Sequence, residues 1–301
     1  MITSFEEIYE VLRAKTRKRL VAAWAVDDHT VTAAYKAAEL GIVDAILVGD
    51  KDMIAKVCEA EGLDITKLTI VHNPVEKDAI TQAVDMVREG HGDFLMKGLC
   101  STDKYLRAIL NKERGLLPPK AVLSHVSVIR NPNYHKLILL SDMAVIPAPD
   151  LKQKVAIAKY LVATAKALQN NCPKIAFIAA TEQMLEGMPA CVDAAILSTK
   201  VRRGEIPGCV GDGPLALDVA VNKEAAQIKK LKSEVAGDAD CLLFPNSESA
   251  NVFYKTNSML CKDVEQAALM VGGSAPCVLS SRADSIQTKL NSIALAAICA
   301  K

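Results

Sequence analysis

Four short polar segments each adjoin an apolar run and a helical pattern, and they hold residue types suited to binding an anion. In Ser280-Ser281-Arg282-Ala283-Asp284-Ser285 a strand end becomes a helix start. Helix N-termini offer unpaired N–H groups and partial positive charge, and Arg282 adds a planar fork that matches phosphate. Asp284 either belongs to that chemistry or simply caps the helix, a role worth about 1 kcal/mol. In Met96-Lys97-Gly98-Leu99-Cys100-Ser101-Thr102-Asp103, Gly98 permits close backbone approach. There Ser101 or Thr102 can cap a helix or bind an oxyanion, and Arg107 follows about a turn later, as an anion ligand or a solvated charge. Gly208 to Gly213 is glycine-rich and contains Asp212, yet it matches neither a Walker loop nor Gly-x-Gly-x-x-Gly; it reads as a flexible loop. In Phe244-Pro-Asn246-Ser-Glu248-Ser-Ala-Asn251, Asn246 is a plausible cap, while Glu248 and Asn251 are either polar groups of a crevice or ordinary first-turn residues. Four such junctions point to one binding crevice at strand ends.

The elements that must position them alternate between periods of 2 and 3.6. Ser4 to Lys15 reads as a helix with a capping box, followed by a strand from Arg19 to Val26 and an Ala-rich helix from Asp28 to Gly41. Strands at 45–48, 68–72 and 94–96 alternate with helices at 51–61, 74–89 and 101–112, which implies parallel sheet covered by helices. The alternation breaks at Ala121 to Ile129 and Lys136 to Leu140, two β-rich runs joined by an Asn-Pro-Asn turn, an expected hairpin. Pro147-Ala-Pro149-Asp150 then opens a helix to about Leu168 and marks the expected boundary. Strands at 175–179 and 241–244 and an antiparallel stretch at 215–221 belong to the second domain. A last strand, 277–280, and a helix, 284–300, have no later partner, so they return to the first. The reading is α/β and two-lobed: residues 1–145 with 276–301 form one lobe, 146–275 an inserted one, with a cleft between them.

Composition narrows the function. The 301 residues carry 36 basic and 35 acidic side chains, no footprint for nucleic acid. No apolar run approaches the ~20 residues of a membrane span, and Glu6, Glu7 and Glu10 stand where a signal peptide needs a basic end. The nine cysteines include no Cys-x-x-Cys and the five histidines stand apart, so reduced thiols and no metal site are expected. His125 is either a hydrogen-bonded core residue or a catalytic one. The expectation is a soluble cytoplasmic protein.

The same junctions carry a resemblance. Asp212-Gly-Pro-Leu-Ala-Leu-Asp218, Val235-Ala-Gly-Asp-Ala-Asp240, Phe244-Pro-Asn246, Ala250-Asn-Val-Phe-Tyr-Lys255 and Ser281-Arg-Ala-Asp-Ser285 resemble the phosphate acetyl/butyryltransferase family. Leu123-Ser-His-Val126 and Ser141-Asp-Met-Ala-Val-Ile-Pro-Ala-Pro-Asp150 are closer to its butyryl branch. The resemblance implies reversible acyl transfer between coenzyme A and phosphate, an isocitrate/isopropylmalate dehydrogenase-like architecture, a homodimer, and no cofactor or metal. It puts Ser281 and Arg282 at the phosphate and carbonyl oxygen, Ser101 and Thr102 on the facing strand end, and Arg107 at the phosphates of coenzyme A. Asp212, Asn246 and Asn251 join the substrate-binding set. One departure stands out: acetyl-specific members carry a base aspartate six residues beyond the arginine, and here that position is Thr288. Asp284 is then expected to cap the helix and orient Arg282, with no obligatory base because a cysteine-like thiol ionises at about pH 8.5. A phosphate acetyltransferase and a non-catalytic acyl-CoA-binding module are the alternatives.

Overall fold

The computed structural model describes residues 1–279 and 284–301. In chain order the elements begin α1 (Phe5–Arg13), β1 (Lys18–Ala23), α2 (Asp28–Glu39), β2 (Val43–Gly49), α3 (Lys51–Glu61) and β3 (Thr69–His72). Next come α4 (Glu76–Arg88), β4 (Phe94–Lys97), α5 (Thr102–Ile109), β5 (Ser124–Arg130), β6 (Ile138–Ser141) and α6 (Leu151–Ala167). They continue with β7 (Lys174–Ile178), α7 (Pro189–Arg202), β8 (Val210–Leu215), α8 (Leu217–Val221), α9 (Lys223–Ile228) and β9 (Cys241–Leu243). The chain ends with α10 (Ser247–Leu260), β10 (Glu265–Val271), β11 (Cys277–Val278) and α11 (Ile286–Cys299). Among the described residues no helix is long and apolar enough to cross a membrane.

Two compact units result: a terminal unit of Phe5–Leu123 with Ala267–Lys301, and a central unit of Ser124–Gln266 with Met1–Ser4. The sequence places the junctions later, at 145/146 and 275/276. The β5–β6 hairpin accounts for the first difference. Its Ser127↔Leu140 pairing is antiparallel, as the Asn-Pro-Asn turn suggests, but Leu139 then pairs with Cys241 of β9, which ties the hairpin to the central unit.

In the terminal unit the strand order is β3-β2-β1-β4-β11-β10, parallel except for β10. All four residues of β4 and Leu20 to Ala23 of β1 are buried, the continuous apolar character of strands covered on both faces. The last strand does return here: Cys277 pairs with Leu95 and Val278 with Met96. Helix α2 is capped by Asp27 through Thr30 N, and α3 by Asp50 at one end and left-handed Gly62 at the other.

In the central unit the order is β5-β6-β9-β7-β8, with β6, β9, β7 and β8 parallel. Asp150 and Gln153 form a reciprocal capping box on α6. From Val210 onward the expected flexible loop at 208–213 is instead the start of strand β8, and the expected antiparallel stretch at 215–221 is mostly helix α8. Packing explains the correction. A Cβ on Gly211 would come within 2.8 Å of Val201 and 3.0 Å of Phe177, and one on Gly213 within 2.7 Å of Phe177. These glycines admit the Phe177 ring and backbone against the strand, so they mark close approach. Helix α11 also starts differently from the expected Asp284 cap. Its cap is Ser285, whose hydroxyl accepts from Thr288 N, and Asp284 stands one residue ahead of the cap.

Candidate active site

From β1 the chain builds β2 and β3 to one side and then returns to β4 on the other, so β1 and β4 flank the topological switch point of the terminal unit. The loops leaving these two strands are stitched together: Gly98 N donates to Ala23 O and Leu99 N to Trp24 O, both at 2.9 Å. Gly98 is required here, because a Cβ would lie 2.3 Å from Trp24 O. Trp24 itself is held at φ 54°, an uncommon backbone for a bulky residue and one found where surrounding structure over-determines it. Ser101 caps α5, accepting from Lys104 N at 3.2 Å, and Thr102 is the exposed first residue of that helix. Arg107 is a solvated charge whose side chain is 80% exposed and paired with Asp103 at 2.9 Å.

Ser281 and Arg282 lie outside the described residues. The strand that leads to them, β11, runs beside β4, and Asp284, partly exposed, leads from them into α11. Two lysines that the sequence reading gave no role are buried at this end of the unit. Lys97 is 5% exposed, with Nζ donating to Gly98 O at 3.2 Å, and Lys289 is 4% exposed. Burial pulls the Lys289 ammonium below the ordinary lysine range; Asp284, Asp27 and Asp28 oppose that shift and Lys97 adds to it. Cys100, inside the same loop, is no nucleophile, since burial pushes its thiol up to about 11.

In the central unit the parallel strands end together, with Ser141 paired to Leu243 and Phe177 to Leu243. Asn246 follows β9 and caps α10, accepting from Ser249 N at 2.9 Å and Ser249 Oγ at 2.8 Å. Asn251 donates to Met143 O at 3.3 Å, which ties α10 to the loop after β6. Asp212 sits within β8, opposite Ala176, and accepts from Gly213 N at 2.9 Å. Asn246 and Asn251 therefore share one strand-end cluster, and Asp212 lies inside its strand.

That cluster has a centre the sequence reading passed over. Asp142 is 1% exposed and receives five donors: Ser124 Oγ and Ala144 N and Val145 N at 2.8 Å, and His125 N and Ile146 N at 3.3 Å. It folds the 143–146 loop around a buried carboxylate. The available signal was the Ser-Asp pair at the end of an apolar strand. His125 proves to be the core alternative: its ring is buried, with Ser127 Oγ 3.4 Å from Nδ1. Desolvation holds its pKa down to about 4, against the attraction of Asp142, so the ring is neutral near pH 7.

A prediction follows with a definite sign. In the unfolded chain the ring binds a proton near pH 6.5, and in the fold only near pH 4. The unfolded state therefore binds more protons in that window, and stability falls as pH drops through it. The loss grows as pH falls from about 6.5 toward 4. Urea midpoints measured at pH 7 and pH 4.5 should differ less for His125→Gln than for the parent; equal pH slopes would assign the acid loss to other groups.

Residues 66–297 match the family described as Phosphate acetyl/butaryl transferase. The chain belongs to this family. It is 45% identical to the phosphate butyryltransferase of Clostridium acetobutylicum, over 100% of this chain and 99% of that protein. It is also 38% identical to the phosphate acetyltransferase of Thermotoga maritima, over 98% and 99% of the two chains. Among solved structures, a branched-chain phosphotransacylase from Enterococcus faecalis V583 superposes with a TM-score of 0.82 at 27% identity, covering 94% of this chain and 98% of that one. Thr288, where the resemblance leads one to expect a base aspartate in acetyl-specific members, has its Oγ1 3.1 Å from Ser285 Oγ and its N–H donating to the same hydroxyl, so it serves the cap of α11.

Proposed function

We propose that the protein moves a short acyl group between coenzyme A and inorganic phosphate, butyryl-CoA + phosphate ⇌ butyryl phosphate + CoA, with butyryl preferred over acetyl. The observation that carries this reading is the identity of 45% to a phosphate butyryltransferase across the full length of both chains. Phosphate attacks the thioester carbonyl, or a thiolate attacks the acyl phosphate in reverse. Both directions need an anion clamp, a group that stabilises the oxyanion, and a route for the thiol proton. Arg282 and Ser281 supply the clamp and the oxyanion contact in this reading, with the Ser101 and Thr102 hydroxyls at the start of α5 supporting them. Exposed Arg107 suits a phosphate of coenzyme A, a ligand part that stays hydrated. Asp284 orients Arg282, now without the capping role; Asp212, Asn246 and Asn251 are the remaining substrate-binding residues of this reading. Coenzyme A enters as substrate, and no resident cofactor or metal is assigned.

The reading extends to a homodimer in the cytoplasm. Val252, Met259 and Leu260 of α10, 65%, 71% and 81% exposed, fall on one helical face available to a second copy. The nine cysteines are free, which suits a reducing compartment.

The 38% identity to a phosphate acetyltransferase favours a second reading, with acetyl-CoA as substrate. Chain length decides between them. One methylene in an apolar pocket is worth about 1–3 kcal/mol of discrimination, so propionyl-, butyryl- and valeryl-CoA should give a graded profile of phosphate-dependent thiol release, with acetyl-CoA clearly poorer. A sharp acetyl optimum would establish the second reading. Silence from acetyl through valeryl would leave a binding module without catalysis.

A further inference from the structure

One carboxylate oxygen at the β1/β4 switch point has been left without a donor. Asp27 ends the loop after β1, and its Oδ1 accepts from Thr30 N at 2.9 Å to cap α2. Its Oδ2 is buried and has no hydrogen-bond partner among the described residues. A buried carboxylate oxygen without a donor is costly, and such a group calls for an explanation. Around it stand charges that the fold has removed from water. Lys97, 5% exposed, ends β4 opposite Ala23 of β1, and Lys289, 4% exposed, lies on α11, which packs against α2 and brings it within electrostatic reach of Asp27, Asp28, Asp284 and Lys97. Open α/β sheets bind ligands at this point of their topology. The place thus joins buried cationic charge to one acceptor-only oxygen, which suits an anion that carries a proton.

We propose that Asp27 is a specificity-determining residue of the phosphate site: Oδ2 accepts the hydrogen bond of a protonated phosphate oxygen, while Lys97 and Lys289 offset the charge of the ligand. The proposal deepens the acyltransferase reading and rests on it. An ionised carboxylate only accepts hydrogen bonds. Inorganic phosphate near neutral pH retains an O–H to donate; sulfate, of the same shape and charge, retains none. The diphosphate of coenzyme A also lacks such a proton, so Asp27 selects free phosphate over that diphosphate. Asp27 thereby excludes sulfate by an unpaired charge, and not by size.

The test exchanges the acceptor for a donor. Asp27→Asn keeps a good N-cap and replaces Oδ2 with an amide N–H, and Asp27→Ser keeps a capping hydroxyl and removes the second oxygen. Phosphate-dependent release of CoA from butyryl-CoA is measured with sulfate as competitor, along with the KM for butyryl-CoA. The parent should be almost insensitive to sulfate. In Asp27→Asn the phosphate KM should rise about tenfold or more while sulfate becomes a competitive inhibitor, a change of about 1.4 kcal/mol per decade. In Asp27→Ser phosphate affinity should fall with no gain of sulfate. The KM for butyryl-CoA should stay within about twofold in both, since no charge that meets coenzyme A has changed. Three results overturn the assignment: parental affinity for sulfate equal to that for phosphate, discrimination unchanged in either folded variant, or an effect confined to butyryl-CoA. Protection against thermal unfolding by inorganic phosphate or sulfate reads the same selectivity without turnover. Should the parent release no CoA yet be protected by phosphate alone, with the difference lost in Asp27→Asn, the acyltransferase reading fails and the assignment of Asp27 stands. Should turnover be normal and discrimination survive both variants, the reading stands and the assignment fails.

Discussion

Arg282→Lys is expected to unfold at the parental midpoint and to lose about 10²–10³-fold in kcat/KM for phosphate. A lysine preserves one positive charge but replaces a planar fork of fixed N–H donors with a single flexible ammonium. The fork can hold two phosphate oxygens while the attack proceeds, and its geometry is set before the reaction begins. A point charge attracts the same anion without orienting it, so the loss should fall on turnover as well as on the phosphate KM. Initial rates of thiol release at varied phosphate, together with a urea melt, check this. Near-parental turnover and phosphate dependence would reduce Arg282 to surface charge, and the proposed chemistry would need another clamp.

Asp142→Ala should cause the largest loss of stability among the changes considered. Its carboxylate accepts from Ser124 Oγ and from four backbone N–H groups, those of His125, Ala144, Val145 and Ile146. Truncation removes charge-assisted bonds and leaves these donors without an acceptor in a site that is 1% exposed. Each stranded donor costs about 1–3 kcal/mol before water or relaxation restores part of it, so a net loss of at least about 3 kcal/mol is expected. Urea unfolding followed by far-ultraviolet circular dichroism measures it. The loop from 143 to 146 holds Met143 O, the acceptor of Asn251, so activity should fall along with stability. A loss below about 1 kcal/mol would mean that water or a loop rearrangement replaces the carboxylate.

What the residues determine by themselves is local. Asp150 with Gln153, Asn246 before Ser249, Ser101 before Lys104, and Asp50 with Gly62 are caps between near neighbours in the chain, and each forms where its spacing indicates. The buried strands at 18–23, 43–49 and 94–97 are equally legible, because a parallel strand covered on both faces needs a continuous apolar run. The motif spacing from Asp212 to Ser285 was enough to suggest the family. Legibility ends where a residue's meaning depends on a distant partner. Gly211 and Gly213 look like loop glycines until Val201 and the more distant Phe177 occupy the space their side chains would fill. The hairpin at 124–141 reads as an appendix to the first lobe until Leu139 pairs with Cys241, about a hundred residues later. Asp142 and Asp27 look like ordinary turn and cap residues; only tertiary burial removes water from their oxygens, adding Ser124 Oγ and His125 N to the local turn donors of one and withholding a donor from Oδ2 of the other. Lys289 is one charge in an apolar helix until α11 packs against α2 and sets it among Asp27, Asp28, Asp284 and Lys97. Caps and apolar runs are decided by interactions within a few residues, which a sequence displays. Desolvation and charge pairing depend on what the fold brings alongside, and that is decided only when the sheet and its helices close around each group.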